Sequence, residues 1–151
     1  MIICGYPCIG KTSISTAKNR IIDLESSMFN DNNGKKNPGW EKTYCRIAED
    51  LSAQGYTVFV STHQVVLDYL KDSNHRVVLI YPHADLYKEW VERAEKRYKD
   101  DPSKKNKAAL DNIKANFVEQ TKSLDADAYL MRYPLVKMDY DLLTIVNSLK
   151  H

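Results

Sequence analysis

The apolar run Met1-Ile2-Ile3-Cys4 leads without a break into Gly5-Tyr6-Pro7-Cys8-Ile9-Gly10-Lys11-Thr12. Every fixed position of the phosphate-binding loop pattern G-x-x-x-x-G-K-[ST] is filled. A strand before such a loop and a helix after it make the first unit of an α/β layer, so this opening constrains the fold more than any other feature. The helix is expected over Lys11 to Lys18, with Ile14 and Ala17 on one face. Two glycines let the backbone wrap an anion and turn its N–H groups inward, and the positive end of the following helix adds to that field. In the pattern's usual mechanics, Lys11 sets an ammonium on the β- and γ-phosphates and the Thr12 hydroxyl ligates Mg²⁺. Tyr6, Pro7, Cys8, Ile9 and Ser13 complete the expected phosphate contacts. The alternative is a chance match in a glycine-containing turn. Alkylation of Cys8 is expected to block nucleotide binding unless its thiol is an inert filler.

The remaining 140 or so residues are enough for one domain and no more, at roughly 100–200 residues per domain. A hydrophobic share of 43% and a charged share of 28% exclude disorder and coiled-coil composition. The longest apolar runs, such as Val77 to Tyr81, fall far short of the ~20 residues a membrane span needs. Lys and Arg exceed Asp and Glu by 22 to 20, which neither demands nor excludes nucleic acid. Cys4, Cys8 and Cys45 form no CxxC pair and have no zinc-spaced partners, so reduced thiols in a cytoplasmic protein are expected. The N-terminus lacks the pattern of a secretion signal.

Along the chain, strand and helix patterns alternate, which predicts an α/β sandwich around a parallel sheet. Strands are expected at Met1 to Cys4, Arg20 to Leu24, Thr57 to Val60, Arg76 to Tyr81 and Tyr133 to Met138. Met28 to Gly39, rich in Asn, Asp, Gly and Lys, reads as a loop. Trp40, Tyr44, Ile47, Ala48 and Leu51 recur at helical spacing and Gly55 closes that helix. Ser61-x-x-Gln64 fits a capping box for a helix bearing Val66, Leu67 and Leu70. A helix over Ala84 to Tyr98 carries Leu86, Trp90, Val91 and Ala94. Asp101-Pro102 predicts the start of the next, whose stripe is Leu110, Ile113, Phe117, Thr121 and Leu124. The last helix is expected from Tyr140, with Leu142, Val146 and Leu149 inward.

Three further segments bear polar groups where chemistry needs them. Ile21-Ile22-Asp23-Leu24-Glu25 ends a strand in two carboxylates one residue apart, hence on one side of the strand. The carboxyl ends of parallel strands line the ligand crevice, where such acids can hold Mg²⁺ or accept a proton; a solvated pair is the plain alternative. Val58-Phe59-Val60 ends in Ser61, Thr62 and His63 rather than in an acid. Either Asp23 takes over the metal role or the site is not that of a typical hydrolase; His63 contacts substrate or phosphate, or is incidental beside a helix-capping Ser or Thr. Arg93 and Arg97 are four apart, so both guanidinium groups share a helix face. They suit phosphate, while Glu89 is spaced to pair with Arg93 on a solvated helix.

With these residues in place, the chain resembles the small P-loop kinases of the adenylate-kinase-like group, and more closely its compact phage-type members, related to hydroxymethyluracil DNA kinases. The loop Gly5 to Thr12 carries the likeness, with Ile22-Asp23-Leu24-Glu25-Ser26-Ser27-Met28-Phe29, Val58 to His63 and Ile80-Tyr81-Pro82. Leu86 to Arg93, with Arg97 beyond, extends it. The resemblance implies a three-layer sandwich whose five-stranded parallel sheet has the order 2-3-1-4-5. It implies one domain with a helical lid within about 84–124, mobile around Arg93 to Lys107. It implies an acceptor site between the Asp23 strand end and the helix from Trp40. The Asp-Gly-Phe-Pro-Arg run of nucleotide-monophosphate kinases is missing after the third strand.

The expected function is therefore magnesium-dependent transfer of the γ-phosphate of ATP, or another nucleoside triphosphate, to a nucleoside- or nucleotide-like acceptor, free or within DNA. Lys11 holds the donor, Thr12 and Asp23 the metal, Asp23 or Glu25 the acceptor proton, and Arg93 and Arg97 the developing charge. The rivals are a nucleoside triphosphatase or nucleotide sensor without an acceptor, and a DNA-binding module. From Tyr87 to Lys107 there are eight basic against five acidic residues, so duplex binding through that segment would be weak and salt-dependent.

Overall fold

The computed structural model describes residues 1–31 and 33–150; Asn32, in the expected loop, and His151 lie outside them. Five strands, β1 Ile2–Gly5, β2 Ile21–Asp23, β3 Thr57–Val60, β4 Val77–Pro82 and β5 Met131–Leu135, form one all-parallel sheet in the order β2-β3-β1-β4-β5. Ile2 stands level with Val58 on one side and Val77 on the other. Every residue of β1, β3 and β4 is buried. Successive side chains point to opposite faces, so burial of both sets means that both faces are covered. The expected sandwich and strand order are therefore present.

Among the described residues six α-helices provide the cover: α1 Lys11–Ile14, α2 Trp40–Ala53, α3 Gln64–Leu70, α4 Tyr87–Asp100, α5 Lys104–Asp125 and α6 Leu142–Leu149. α2 packs on α3, β1 and β3; α5 packs on β4, β5 and α4; α1 meets α6. The expected stripe on α5, Leu110 through Leu124, is buried throughout. α2 ends as expected at Gly55, which takes φ +92°. Its N–H reaches the Ser52 carbonyl and that of Tyr56 the Leu51 carbonyl, the paired bonds of a Schellman cap. No helix among the described residues is long and apolar enough to cross a membrane.

Several boundaries differ from expectation for local reasons. α1 is a single turn rather than Lys11 to Lys18. Its run Thr12-Ser13-Ile14-Ser15-Thr16 is β-branched or hydroxylic, and the Ser15 hydroxyl bonds the Lys11 carbonyl. Asp101-Pro102 does not open α5: Ser103 does, its hydroxyl accepting from the Asn106 amide at 3.1 Å. Ser61 does not cap α3, whose capping residue is His63; the Ser61 hydroxyl bonds His63 Nδ1 instead, at 2.7 Å. Ala84–Leu86 is a 3-10 turn preceding α4. β5 starts earlier than Tyr133 and stops at Leu135, leaving Val136 63% exposed. It is an edge strand with one solvated side, so backbone pairing to β4 rather than apolar pattern sets its limits. α6 starts at Leu142, because the Asp141 carboxylate caps it by accepting from the Thr144 amide; Tyr140 thereby stays outside the helix.

Candidate functional site

The loop after β1 is built from the core outward. A side chain at Gly5 would displace its neighbours: a Cβ there would lie 2.9 Å from Ile9 Cδ1 and 3.1 Å from Lys11 Cδ, so these side chains would have to shift. The Tyr6 amide continues the sheet ladder to the Ile80 carbonyl, and its ring is fully buried against Phe117 of α5. The chain then turns through two left-handed residues, Cys8 at φ +70° and Gly10 at +106°. Cys8 is not glycine, and this conformation costs an L-residue about 1–2 kcal/mol. Such strain persists only where neighbours over-determine the backbone.

Those neighbours hold the loop by its carbonyls. Trp90 Nε1 donates to the Pro7 carbonyl at 2.8 Å, Arg93 to the Cys8 carbonyl at 3.1 Å, and the Tyr140 hydroxyl to the Ile9 carbonyl at 2.8 Å. Among the described residues no peptide bond is cis, and across a trans peptide the N–H points away from the carbonyl. The amides of Cys8, Ile9 and Gly10 are thus turned to the opposite side of the loop. Among the described residues they have no protein acceptor, although Cys8 and Ile9 are buried. Gly10 is exposed, and Cys8 and Gly10 border an open cleft, so amides there without a protein partner are open to an acceptor from outside the chain.

Lys11 reaches across the loop to the Gly5 carbonyl at 3.1 Å. Burial pushes its ammonium below the ordinary lysine range, while Asp23 and Glu25 pull it back. Burial likewise holds the Asp23 carboxyl above the ordinary aspartate range, against the pull of Lys11. Asp23 ends β2, and Glu25 follows on the same side. Both line one cleft of about 680 Å³ with Lys11, Thr12, Arg97 and Lys105, within the roughly 300–1,000 Å³ of small-molecule sites. Because α1 is only a turn, its dipole is small, and the loop amides and Lys11 carry most of the positive field.

Of the expected site residues, Pro7, Cys8, Gly10, Lys11, Thr12 and Ser13 line the cleft with Asp23 and Glu25; Gly5, Tyr6 and Ile9 do not, and the Tyr6 side chain is buried against Phe117 with its hydroxyl donating to Gln120. Of the two arginines, Arg97 lines the cleft with Nη1 3.7 Å from Cys8 Sγ. Arg93 also borders it, but its guanidinium is engaged by the Cys8 carbonyl and by the Tyr140 hydroxyl at 2.6 Å; Glu89 is not its partner. Ser61 and His63 border the far side of the cleft, where buried Tyr44 ties β2 to β3 by donating to the Leu24 carbonyl and accepting from the Ser61 amide. His63 meets Trp40 edge-on at 5.3 Å, and burial with nearby Lys36 keeps its imidazole below the ordinary range, hence neutral at pH 7. Thr62 faces a separate groove between α3 and α5. All three cysteines are free and buried, and burial pushes Cys45 up to about 12.

Sequence reasoning missed Lys105, whose ammonium pairs with Glu25 across the cleft, and it took Trp90 and Tyr140 for core and helix positions. A basic residue near a helix start and aromatic residues at helical spacing carry no signal of their partner 80 or more residues away. No protein-family model matches the chain, and no curated protein matches it.

Proposed function

We propose that this chain is a P-loop phosphotransferase that moves the γ-phosphate of ATP, or another nucleoside triphosphate, to a hydroxyl or phosphate of a nucleoside- or nucleotide-like acceptor, free or within DNA. The reading rests on the unpartnered amides of Cys8, Ile9 and Gly10 beside Lys11, in a loop whose Cys8, Gly10 and Lys11 line one cleft with Asp23 and Glu25. The amides and the Lys11 ammonium suit the β- and γ-phosphates. Thr12 and Asp23 offer a hydroxyl and a carboxylate, and among the described residues no cluster of three or more metal-ligating side chains exists. That donor set fits Mg²⁺, which typically takes one or two protein oxygens and completes its shell with phosphates and water. Bound there, the metal would neutralise charge on the transferring group.

In the transfer, the acceptor oxygen forms a bond to the γ-phosphorus while the bond to the β,γ-bridging oxygen breaks, and the nucleoside diphosphate leaves. The acceptor proton passes to Asp23 or Glu25. Arg97, with Lys105 once released from Glu25, meets the charge on the equatorial oxygens. The neutral His63 imidazole, which borders the cleft and is backed by Trp40, suits a flat heterocycle on the acceptor. A cytoplasmic location belongs to the same proposal, as that is where the donor is made.

One observation favours a second reading. Glu25 is already paired with Lys105, and an enzyme without an acceptor, hydrolysing or only sensing the nucleotide, would need no free acid there. Incubation with γ-labelled ATP and Mg²⁺ over a panel of nucleosides, nucleotides and hydroxymethylated DNA separates the two. Label on an acceptor supports the kinase, free phosphate alone supports the hydrolase, and neither product in any mixture ends both.

A further inference from the structure

The side chains that grip the outside of the loop come from two places distant in sequence, α4 and the residue before α6, and no motif includes them. Trp90 and Tyr140 lie nearly parallel, 16° apart with ring centres at 6.5 Å. The Arg93 guanidinium carbon sits 4.6 Å from the first ring centre and 5.5 Å from the second. Each of the three donates one hydrogen bond to one of three successive carbonyls, Pro7, Cys8 and Ile9. The bond from Arg93 to the Tyr140 hydroxyl joins the donors into one unit. Trp90 is fully buried and the Arg93 charge is spread over two aromatic faces, so the unit is anchored independently of any ligand.

We infer that Trp90, Arg93 and Tyr140 are positioning residues that aim the loop's amides, one peptide plane each. The inference rests on the phosphate-binding reading of the loop. Trp90 holds the plane that contains the Cys8 N–H, Arg93 that of the Ile9 N–H, and Tyr140 that of the Gly10 N–H. Holding the carbonyl outward keeps the N–H inward before any phosphate arrives. The rotational freedom of the empty loop is then lost in folding rather than in binding, which raises affinity. The unit also explains how Cys8 tolerates a left-handed backbone: its carbonyl and both flanking peptide planes are tied.

The correspondence of one side chain to one amide makes a test that general support of the fold cannot imitate. Inorganic pyrophosphate is titrated into ¹⁵N-labelled protein, and the amide shifts of Cys8, Ile9 and Gly10 are followed in wild type, Trp90→Phe, Tyr140→Phe and Lys11→Ala. Both phenylalanine variants keep an aromatic ring and remove the donor. Tyr140→Phe is expected to shrink the Gly10 response most, and Trp90→Phe the Cys8 response most. Each should weaken pyrophosphate binding by about 3–10-fold, the scale of one hydrogen bond, with thermal midpoints within a few degrees of wild type. Wild-type shifts and affinity in both variants, alongside a loss in Lys11→Ala, would overturn the positioning role and leave the phosphate-binding reading standing. An equal decline of all three amides in both variants overturns it as well, since that marks a structural part only. A wild-type protein that shows no response to pyrophosphate removes both readings.

Discussion

The two walls of the cleft are held in different ways. The phosphate-loop wall is fixed by donors from buried or half-buried side chains, and the aromatic groups Tyr6, Trp90 and Phe117 lock α4 and α5 to it at their base. The facing wall, at the tip of the α4–α5 hairpin, is tied to the end of β2 by the Lys105–Glu25 pair, with the two side chains 52% and 39% exposed. Exposed ion pairs contribute about 0–1 kcal/mol, whereas fully burying one large apolar side chain contributes about 1.5–3 kcal/mol. The hairpin is thus rigid where it touches the Gly5–Thr12 loop and loosely latched opposite it, where on the proposed reading an acceptor and closing cations would meet. Such a division suits transfer chemistry, in which one half of the site is set in advance and the other closes on substrate.

The carboxylates test the loosely held wall, and there the largest effect is expected. Asp23→Asn should abolish transfer and background hydrolysis together and weaken the dependence on Mg²⁺. Glu25→Gln should lose transfer by about 10²–10⁴-fold while ATP affinity survives, read from product formation and from titration calorimetry. Wild-type transfer in both variants would remove the acid wall from the chemistry. Lys11→Ala tests the other wall. Turnover should fall by about 10²–10³-fold, the scale of one electrostatic stabiliser, with a thermal midpoint close to wild type, because the Lys11 ammonium is held against its own burial.

A stability measurement sharpens the same contrast. Asp23 is raised above its ordinary value of 3.8 by burial, with Lys11 opposing. Protonation is therefore favoured more in the folded than in the unfolded chain. That advantage is complete below the ordinary value and is lost as pH rises through the raised one. At neutral pH the ionised carboxylate is a net cost, so Asp23→Asn should raise the thermal midpoint at pH 7 and lose that gain near pH 4. Thermal scans at the two pH values check it, and a midpoint lowered at pH 7 would show that the pull of Lys11 outweighs burial. The smallest effect is expected for Lys105→Ala. Global stability should change by less than about 1 kcal/mol, while hydrogen exchange of the Asn106 and Lys107 amides, bonded to Ser103, accelerates and that of the Tyr6 amide, bonded to the Ile80 carbonyl, does not. Equal acceleration in both segments would mean that the two walls are one mechanical unit.

Much of this protein was legible in the sequence because the signals are local. Continuous apolar runs at Ile2, Val58 and Val77 mark strands buried on both faces, and the spacing of Leu110, Ile113 and Phe117 marks a helix with one buried stripe. The loop motif places Gly5, Lys11 and Thr12 by number, since phosphate geometry demands those residues at that spacing. Alternation puts Asp23 and Glu25 on one side of a strand end. Boundaries were less legible where hydroxyl side chains compete with the backbone, as at Ser15 and Ser103, or where an edge strand follows its neighbour's hydrogen bonds, as at Met131. Only the tertiary structure decided which distant groups meet: Tyr140 with the Ile9 carbonyl, Trp90 with that of Pro7, and Lys105 with Glu25. A hydrogen bond between residues 80 to 131 positions apart leaves no periodicity in either segment, because its donor and acceptor are brought together by the packing of whole elements rather than by any pattern along the chain.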